Sequence, residues 1–236
     1  MDTNASHNAL VDSNKAHFDA RTANNYDEHP LHVEMAKRIG TSLIQAYSWD
    51  EEKTAVLDYA CGTVHLDVQI AGLISRQILP YVKSVLGVDI SQAMVDKYNE
   101  RADNQGITPE EMRAICINLE EEPSQMGDLK FDVVLCSMSY HHFADPMRMT
   151  GVLASLVKPG GCLFIADIES TKDREKIIPE TAHHIVAHEY GFSEAEVKSY
   201  IESAGLSLSN FTSVTKARKN GKEVNVFLAQ GINHGA

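Results

Sequence analysis

A turn of small residues and a later acidic residue each follow an apolar run, and together they could bind a ribose. The run VLDYACGT, residues 56–63, ends in small residues. Such residues let the backbone approach a ligand closely, and a helix that starts beyond the turn favours an anionic group. The run GVDIS, residues 87–91, places the carboxylate of Asp89 where it can accept hydrogen bonds from both hydroxyls of a ribose. Ser91 is then the expected N-cap of the next helix.

Histidines are the candidate groups for proton transfer, because their side chains titrate near neutral pH. His141 and His142 follow the fourth apolar run, and His141 is the candidate general base for a bound substrate, whereas His142 is expected to contact a cofactor. His184 and His188 are one helical turn apart, a spacing that could face a metal ion. The Glu of an H-E-x-x-H motif is replaced by Ile185, however, and no third ligand is apparent. We therefore expect no metal site.

The order of apolar runs and helical patterns indicates the elements that position these residues. Short apolar runs alternate with amphipathic helices, and this alternation predicts an α/β fold with one parallel, doubly wound sheet covered by helices on both faces. After the last helix, two strand-like runs flank Asn220-Gly221, which predicts a hairpin with an antiparallel strand. Ligands bind at the carboxyl ends of the strands in such sheets.

The length of 236 residues fits one large α/β domain or two small ones, and a single domain is the default interpretation. Residues 1–14 are polar and are expected to form a disordered tail. Residues 15–236 then form one domain. It begins with a helical cap at about 15–48, where apolar positions recur at helical spacing, and it includes a lid or acceptor-binding segment at about 169–192.

The charge balance and the cysteines exclude several classes of function. Lys and Arg number 21 against 33 Asp and Glu, which gives a net charge of −12, so we expect neither nucleic acid nor an anionic membrane as a partner. No signal peptide and no membrane-spanning run is apparent, which predicts a cytoplasmic protein. The four cysteines form no C-x-x-C pair and are interpreted as buried, reduced thiols. The sequence carries no signal for an oligomeric state.

Five motifs along the chain form a recognisable set: LDYACGT, GVDIS, CINLEEE, FDVVLCSMSYHHFADP and LVKPGGCLFIAD. Together they resemble the class I S-adenosylmethionine (SAM)-dependent methyltransferases, especially small-molecule enzymes such as the ubiquinone and menaquinone C-methyltransferases, over roughly residues 15–230. The resemblance implies a Rossmann-like, mostly parallel sheet of seven strands in the order 3-2-1-4-5-7-6, with SAM as cofactor and S-adenosylhomocysteine (SAH) as product. A nicotinamide-dependent dehydrogenase would need a G-x-G-x-x-G spacing that this chain lacks.

The resemblance also assigns roles to individual residues. Asp89 would bind the ribose of the cofactor, and Asn118 would pair with the adenine amine. Tyr26 resembles an aromatic residue that closes over the cofactor, although an ordinary packing tyrosine fits equally well. His141 is the candidate general base. The full set of implied cofactor contacts is Tyr26, Asp58, Ala60, Cys61, Gly62, Asp89, Ile90, Asn118, Leu119, Ser137 and His142.

One departure from the family pattern lies in the first loop. Val64 stands where the family has a further glycine, and excising Val64–Ala71 would restore the sequence CGTGLISRQ. We interpret these residues as an insertion that extends the following helix, because Leu66, Ile70, Ile74 and Ile78 are spaced four residues apart. Cofactor binding is either intact or impaired, since a β-branched residue resists the positive φ that glycine permits.

The sequence therefore predicts a SAM-dependent methyltransferase that acts on a small molecule. Two alternatives stay open. The first is a catalytically impaired SAM-fold protein with a binding or regulatory role, which the altered first loop suggests. The second is a protein methyltransferase, which should have a peptide groove rather than a closed pocket.

Overall fold

A seven-stranded sheet forms the centre of the protein in the computed structural model, which describes residues 3–17, 30–62, 64–65, 68–69, 72–173, 175–178, 180, 183–219 and 222–235. A separate pair of two-residue strands, β2 (Val64–His65) and β3 (Val68–Gln69), lies outside this sheet. The strands of the main sheet are β1 (Ala55–Tyr59), β4 (Ser84–Asp89), β5 (Met112–Cys116), β6 (Phe131–Ser137), β7 (Val157–Ile168), β8 (Ser207–Lys219) and β9 (Lys222–Ile232).

The strand order confirms the predicted topology. The order is β5-β4-β1-β6-β7-β9-β8, which becomes 3-2-1-4-5-7-6 when only the strands of this sheet are counted along the chain. The first five strands pair in parallel, and β9 is antiparallel to both β7 and β8. The predicted C-terminal hairpin is therefore present, with pairing that extends to Lys219 opposite Lys222.

Helices cover both faces of the sheet, as expected for a parallel sheet. Adjacent residues of one strand, such as Val56 and Leu57, belong to different core clusters because successive side chains point to opposite faces. The central strands are buried on both sides, so the carboxyl ends of β1, β4 and β6 are held rigidly next to one another. The described helices are α1 (Thr3–His17), α2 (Pro30–Ala46), α3 (Leu73–Ile78), α4 (Gln92–Asn104), α5 (Pro146–Ser155) and α6 (Glu194–Ser203), with single 3₁₀ turns at Leu79–Tyr81, Pro123–Met126 and Tyr140–His142.

The amino-terminal segment differs from the prediction. Residues 1–14 were expected to be a disordered tail, but Thr3–His17 form α1. Val11 and Asn14 on this helix are buried, and the Asn14 side-chain amide donates a hydrogen bond to the carbonyl of Ile185 at 3.2 Å. Long-range contacts thus hold a helix that its polar composition does not predict.

The cysteines follow the prediction at three of four positions. Cys61, Cys136 and Cys162 are buried free thiols, whereas Cys116 is exposed. Cys116 ends β5, one of the two edge strands of the sheet. A residue at the end of an edge strand has a neighbouring strand on one side only, and this position explains its exposure.

Candidate functional site

The turn after β1 folds back onto the end of β4. The backbone N–H groups of Ala60 and Cys61 both donate to the carbonyl of Val88, at 2.7 and 3.2 Å. Ala60 has a φ of 58°, a left-handed conformation that is uncommon for a residue with a side chain. Gly62 approaches α4 so closely that an added Cβ would lie 2.5 Å from the Cβ of Met94. Only glycine therefore fits at this point of the turn.

The carboxylate of Asp89 ties this turn to the beginning of α4. Its Oδ2 accepts a hydrogen bond from the N–H of Gly62 at 2.9 Å, and its Oδ1 accepts one from the N–H of Ser91 at 2.9 Å. Burial raises the pKa of Asp89 to about 6, although the backbone hydrogen bonds act in the opposite direction. The side chain is fixed in place and keeps lone pairs on both oxygens for a hydroxyl-bearing ligand.

Asp58 supports the turn from behind. Its Oδ2 accepts a hydrogen bond from the hydroxyl of Ser75 on α3 at 2.5 Å. Burial raises the pKa of Asp58 to about 7, the Ser75 hydrogen bond lowers it, and the nearby charge of Asp89 raises it further. Asp58 does not line the pocket described next. Its contact with Ser75 instead fastens α3 to the sheet beneath the turn.

A pocket of about 620 Å³, counting space open to solvent, lies over the carboxyl ends of β1, β4 and β6. Six residues predicted to contact a ligand line it. Five others do not, and Tyr26 lies outside the described residues. The six are Ala60, Gly62, Asp89, Ile90, Asn118 and His142, and the five are Asp58, Cys61, Leu119, Ser137 and His141.

Further residues line the pocket that the sequence analysis did not predict. Three of them, Leu10, Val11 and Asn14, belong to α1, in the segment that was expected to be disordered. Phe143 and Ala144 extend the loop after β6, where their position next to His142 was an available signal. These additional lining residues are Leu10, Val11, Asn14, Tyr59, Met94, Glu120, Ser139, Phe143 and Ala144.

Asn118 presents a hydrogen-bond donor at the pocket. Its Oδ1 accepts from the backbone N–H of Glu120 at 3.1 Å, so the amide oxygen must face that donor and the NH₂ group must face away from it. The Nδ2 atom is buried, and no hydrogen-bond partner reaches it among the described residues. Such a donor fits a ring nitrogen of adenine. The pairing of Asn118 with the adenine amine, which the sequence analysis expected, stays a prediction.

His141 is buried behind the pocket rather than in its wall. Its Nδ1 lies 2.8 and 3.0 Å from the two carboxylate oxygens of Asp167, and both side chains have no exposed surface. The same carboxylate accepts hydrogen bonds from the N–H groups of His141 and Ile168, at 3.2 and 2.7 Å. Asp167 therefore fixes both the ring and the backbone of the loop after β6.

His142 is the histidine that lines the pocket. Its Nδ1 lies 2.6 Å from the carbonyl oxygen of Ile185. A carbonyl can only accept, so Nδ1 carries the hydrogen and Nε2 carries the lone pair. Burial, followed by the neighbouring His141, holds the pKa of His142 well below its ordinary value of 6.5. The ring is thus neutral near pH 7, and its Nε2 can accept a hydrogen bond.

The segment at residues 183–189 braces the loop after β6. The N–H groups of Ala187 and His188 donate to the carbonyl of His141 at 2.9 and 3.1 Å. The Nε2 atom of His188 lies 3.0 Å from the carbonyl of Phe143. The side chain of His188 therefore braces the backbone of this loop. Within the described ranges, no group of three or more His, Cys, Asp or Glu side chains is arranged to hold a metal ion.

The segment Val64–Ala71 does not extend α3, so this prediction is wrong. Its described residues form the antiparallel pair β2 and β3, and α3 begins only at Leu73. Gly72 interrupts the helical spacing with a φ of 66°, where an added Cβ would lie 2.8 Å from the Tyr98 ring.

The two flanks of this segment meet. The N–H of Gly72 donates to the carbonyl of Cys61 at 2.9 Å. If Val64–Ala71 were excised, this contact would become the i to i+3 hydrogen bond of a β-turn. The segment therefore leaves the first loop and returns to it, while the residues on both sides keep a compact geometry.

Known sequences match a large part of this chain. A family model described as a methyltransferase domain matches residues 50–205. An uncharacterized methyltransferase of Schizosaccharomyces pombe is 37% identical over 179 residues, which cover 73% of this chain and 59% of that protein. A ubiquinone biosynthesis O-methyltransferase of Coxiella burnetii is 27% identical over 167 residues, covering 67% of this chain and 66% of that protein. The chain thus spans only part of the length of these relatives.

Solved structures share the fold at lower sequence identity. A SAM-dependent methyltransferase from Aquifex aeolicus matches with a TM-score of 0.64 at 20% identity, over 92% of this chain and 99% of that one. Magnesium protoporphyrin IX methyltransferase from Synechocystis PCC 6803, solved with bound SAM, matches with a TM-score of 0.64 at 16% identity, over 94% and 96% of the two chains.

Proposed function

Because the chain belongs to the methyltransferase-domain family, as a class I SAM-dependent methyltransferase, we propose that it transfers a methyl group to a small molecule. The observation that carries the proposal is the fixed carboxylate of Asp89, which lies in the pocket wall beside a buried amide donor from Asn118. Bound SAM supplies an electrophilic methyl group on a sulfonium. The chain must then hold that cofactor, align the acceptor and exclude water.

The residues in the pocket wall fit the cofactor. We assign the ribose hydroxyls to the two oxygens of Asp89 and one face of the adenine to Ile90. Asn118 donates from Nδ2 to a ring nitrogen of the base, and the backbone of Ala60 and Gly62 approaches the methionine part. Asp58, Cys61, Leu119 and Ser137 do not line this pocket, and Tyr26 stays a predicted cofactor contact.

The two histidines after β6 have different proposed roles. His142 reaches the pocket, is neutral and keeps the lone pair of Nε2, so it is the group that takes the proton when the acceptor reacts through an O–H or N–H. His141 was the predicted base, but its buried pairing with Asp167 makes it a positioning residue. The pair fixes the backbone from which His142 projects.

Three features support a small acceptor. Three residues of α1 cover the pocket, which favours a closed site over a peptide groove. The net charge of −12 disfavours nucleic acid. Relatives are named for ubiquinone biosynthesis and for magnesium protoporphyrin IX, and both ubiquinone and this porphyrin are small molecules.

In the described part of the chain, no helix has the length and apolar character needed to cross a bilayer.

The closed contact between Gly72 and Cys61 argues against an impaired cofactor site. The glycine that the family pattern requires is supplied by Gly72 itself, in the left-handed conformation that glycine permits. The backbone of Val64 lies in a short strand, which does not require the positive φ that a β-branched residue resists. The contact between Cys61 and Gly72 therefore keeps a conformation compatible with an active enzyme although the segment Val64–Ala71 lies between them.

The proposal is tested by incubating the protein with SAM labelled on its methyl group and with separate panels of small phenols and amines, unfolded peptides and RNA. We expect label in a small-molecule product, with release of SAH. Label found only in peptide would refute the small-molecule proposal. A lack of transfer to all panels, combined with tight SAH binding, would favour a SAM-fold binding protein instead.

A further inference from the structure

Asn14 on α1 has a fixed amide orientation. Its Nδ2 donates to the carbonyl oxygens of Leu10 and Ile185, at 2.9 and 3.2 Å. Both partners are carbonyl groups, which can only accept, so the NH₂ group must face them. The oxygen Oδ1 must therefore point in a different direction.

That oxygen is a buried hydrogen-bond acceptor in the pocket wall. Asn14 is only 5% exposed and lines the pocket. Among the described residues, no donor lies within hydrogen-bonding distance of Oδ1. A buried acceptor without a partner is destabilising, and native proteins usually satisfy such groups. A ligand with an O–H or N–H group would satisfy it.

The same carbonyl holds both Asn14 and His142. The oxygen of Ile185 accepts from Asn14 Nδ2 at 3.2 Å and from His142 Nδ1 at 2.6 Å. The two side chains are therefore neighbours, and Nε2 of His142 is an acceptor atom like Oδ1 of Asn14. This part of the pocket is rich in acceptors and is suited to a donor-bearing group.

We propose that Oδ1 of Asn14 accepts a hydrogen bond from an O–H or N–H of the methyl acceptor, which makes Asn14 a specificity-determining residue. The inference rests on the proposed function. It narrows the substrate class to small molecules with a hydroxyl or amine at or beside the reacting atom. The cofactor also carries O–H and N–H groups, but we assign the donor to the acceptor because Asn14 shares its anchoring carbonyl with the proposed base.

The experiment measures two binding steps by calorimetry. The first is binding of SAH to the protein, and the second is binding of small probes to the SAH complex. Catechol and 2-aminophenol carry donors, and 1,2-dimethoxybenzene is their matched probe without donors. The variant Asn14→Leu removes the acceptor at similar volume. The variant Asp12→Ala changes an exposed residue of the same helix and is the control.

We expect Asn14→Leu to bind SAH within about threefold of the unmutated protein and to bind the donor probes at least about tenfold more weakly. Binding of 1,2-dimethoxybenzene should be weak and equal in both proteins. Asp12→Ala should match the unmutated protein throughout. The ratio of donor to non-donor affinity is the decisive quantity, because a loosened α1 would weaken all probes together.

Several results would overturn the inference. If Asn14→Leu weakened SAH binding tenfold and left the donor probes unchanged, the hydrogen bond would come from the cofactor. If neither step changed, Asn14 would bind no ligand. If no donor probe bound the SAH complex of the unmutated protein, the inference would fail while the cofactor site stood. Absence of SAH binding itself would instead refute the proposed function.

Discussion

Deleting Val64–Ala71 is expected to leave cofactor binding intact. The N–H of Gly72 already lies 2.9 Å from the carbonyl of Cys61, so joining Thr63 to Gly72 converts this contact into an ordinary β-turn. Ten residues now separate Cys61 from Gly72, and two would remain. The difference in closure entropy, about (3/2)RT ln(10/2), is roughly 1.4 kcal/mol in favour of the shorter loop.

The closure-entropy difference determines how the stability of the deletion variant should change. The main contacts seen to be lost are those of the two-residue pair β2 and β3, which oppose the entropy gain. We therefore expect the free energy of unfolding to stay the same or to rise by up to about 1.4 kcal/mol. The dissociation constant for SAH should change by less than about threefold, since Asp89 and the Gly62 turn are unchanged.

Calorimetric titration with SAH and urea unfolding measure both quantities. The matched control replaces Val64–Ala71 by eight Gly and Ser residues, which keeps the loop length and should give no gain in stability. A loss of SAH affinity of tenfold or more in the deletion variant, with the Gly/Ser variant unaffected, would refute the reasoning. It would mean that the length of the loop, rather than the Gly72 turn, shapes the site.

Three further predictions concern the buried acids and the histidines. The pKa values of Asp58 and Asp89 are raised to about 7 and about 6, so both acids favour folding when protonated, and this stability is lost as the pH rises from about 4 to about 7. For Asp58 the loss is on the order of 4 kcal/mol. Urea unfolding across this pH range should show the decline in the free energy of unfolding, with a flatter pH profile for Asp58→Asn. An equally steep pH profile for Asp58→Asn would contradict the assignment. Asp167→Ala leaves His141 Nδ1 and two backbone N–H groups without an acceptor and should lower the free energy of unfolding by about 3–5 kcal/mol, whereas a loss below about 1 kcal/mol would show that the pair is not important for stability. His142→Ala should reduce methyl transfer to a hydroxyl acceptor by roughly a hundredfold or more with SAH affinity kept, while the exposed control His234→Ala is unaffected; equal losses in both variants would exclude His142 as the base.

The sheet and the Asp89 end of the site could be predicted from the sequence because their signals are local. Fully apolar runs between helical patterns indicate parallel strands. Asp89 ends such a run, so its side chain must lie at the carboxyl end of that strand. The Gly62 turn is similarly local, since close approach to Met94 requires a residue without a side chain. These features need no knowledge of distant contacts.

The histidine assignment required the structure. His141 and His142 are adjacent and chemically identical in the sequence, yet one pairs with Asp167 behind the pocket and the other lines it. The direction of each side chain depends on a 3₁₀ turn and on the carbonyl of Ile185, which is 43 residues away along the chain. Spacing alone does not carry this information.

The predictions for the amino-terminal helix and for the first loop were wrong for different reasons. Asn14 lies in a polar segment, and its anchoring partner Ile185 is 171 residues away, so no local pattern reveals the contact. In the first loop, the four-residue spacing of apolar positions favoured a helix. Gly72 lies within that pattern and takes a left-handed conformation, which ends the regular spacing; this glycine was the signal that could have been weighed more heavily.

The most direct test of the central claim is calorimetric titration of the protein with SAH, beside the same titration of Asp89→Ala and of Asp103→Ala, an exposed control residue on the following helix α4. We expect micromolar binding, about −8 kcal/mol, to the unmutated protein and to the control, and no measurable binding to Asp89→Ala. Equal binding to all three proteins, or no binding to any of them, would contradict the assignment of this pocket as the SAM site.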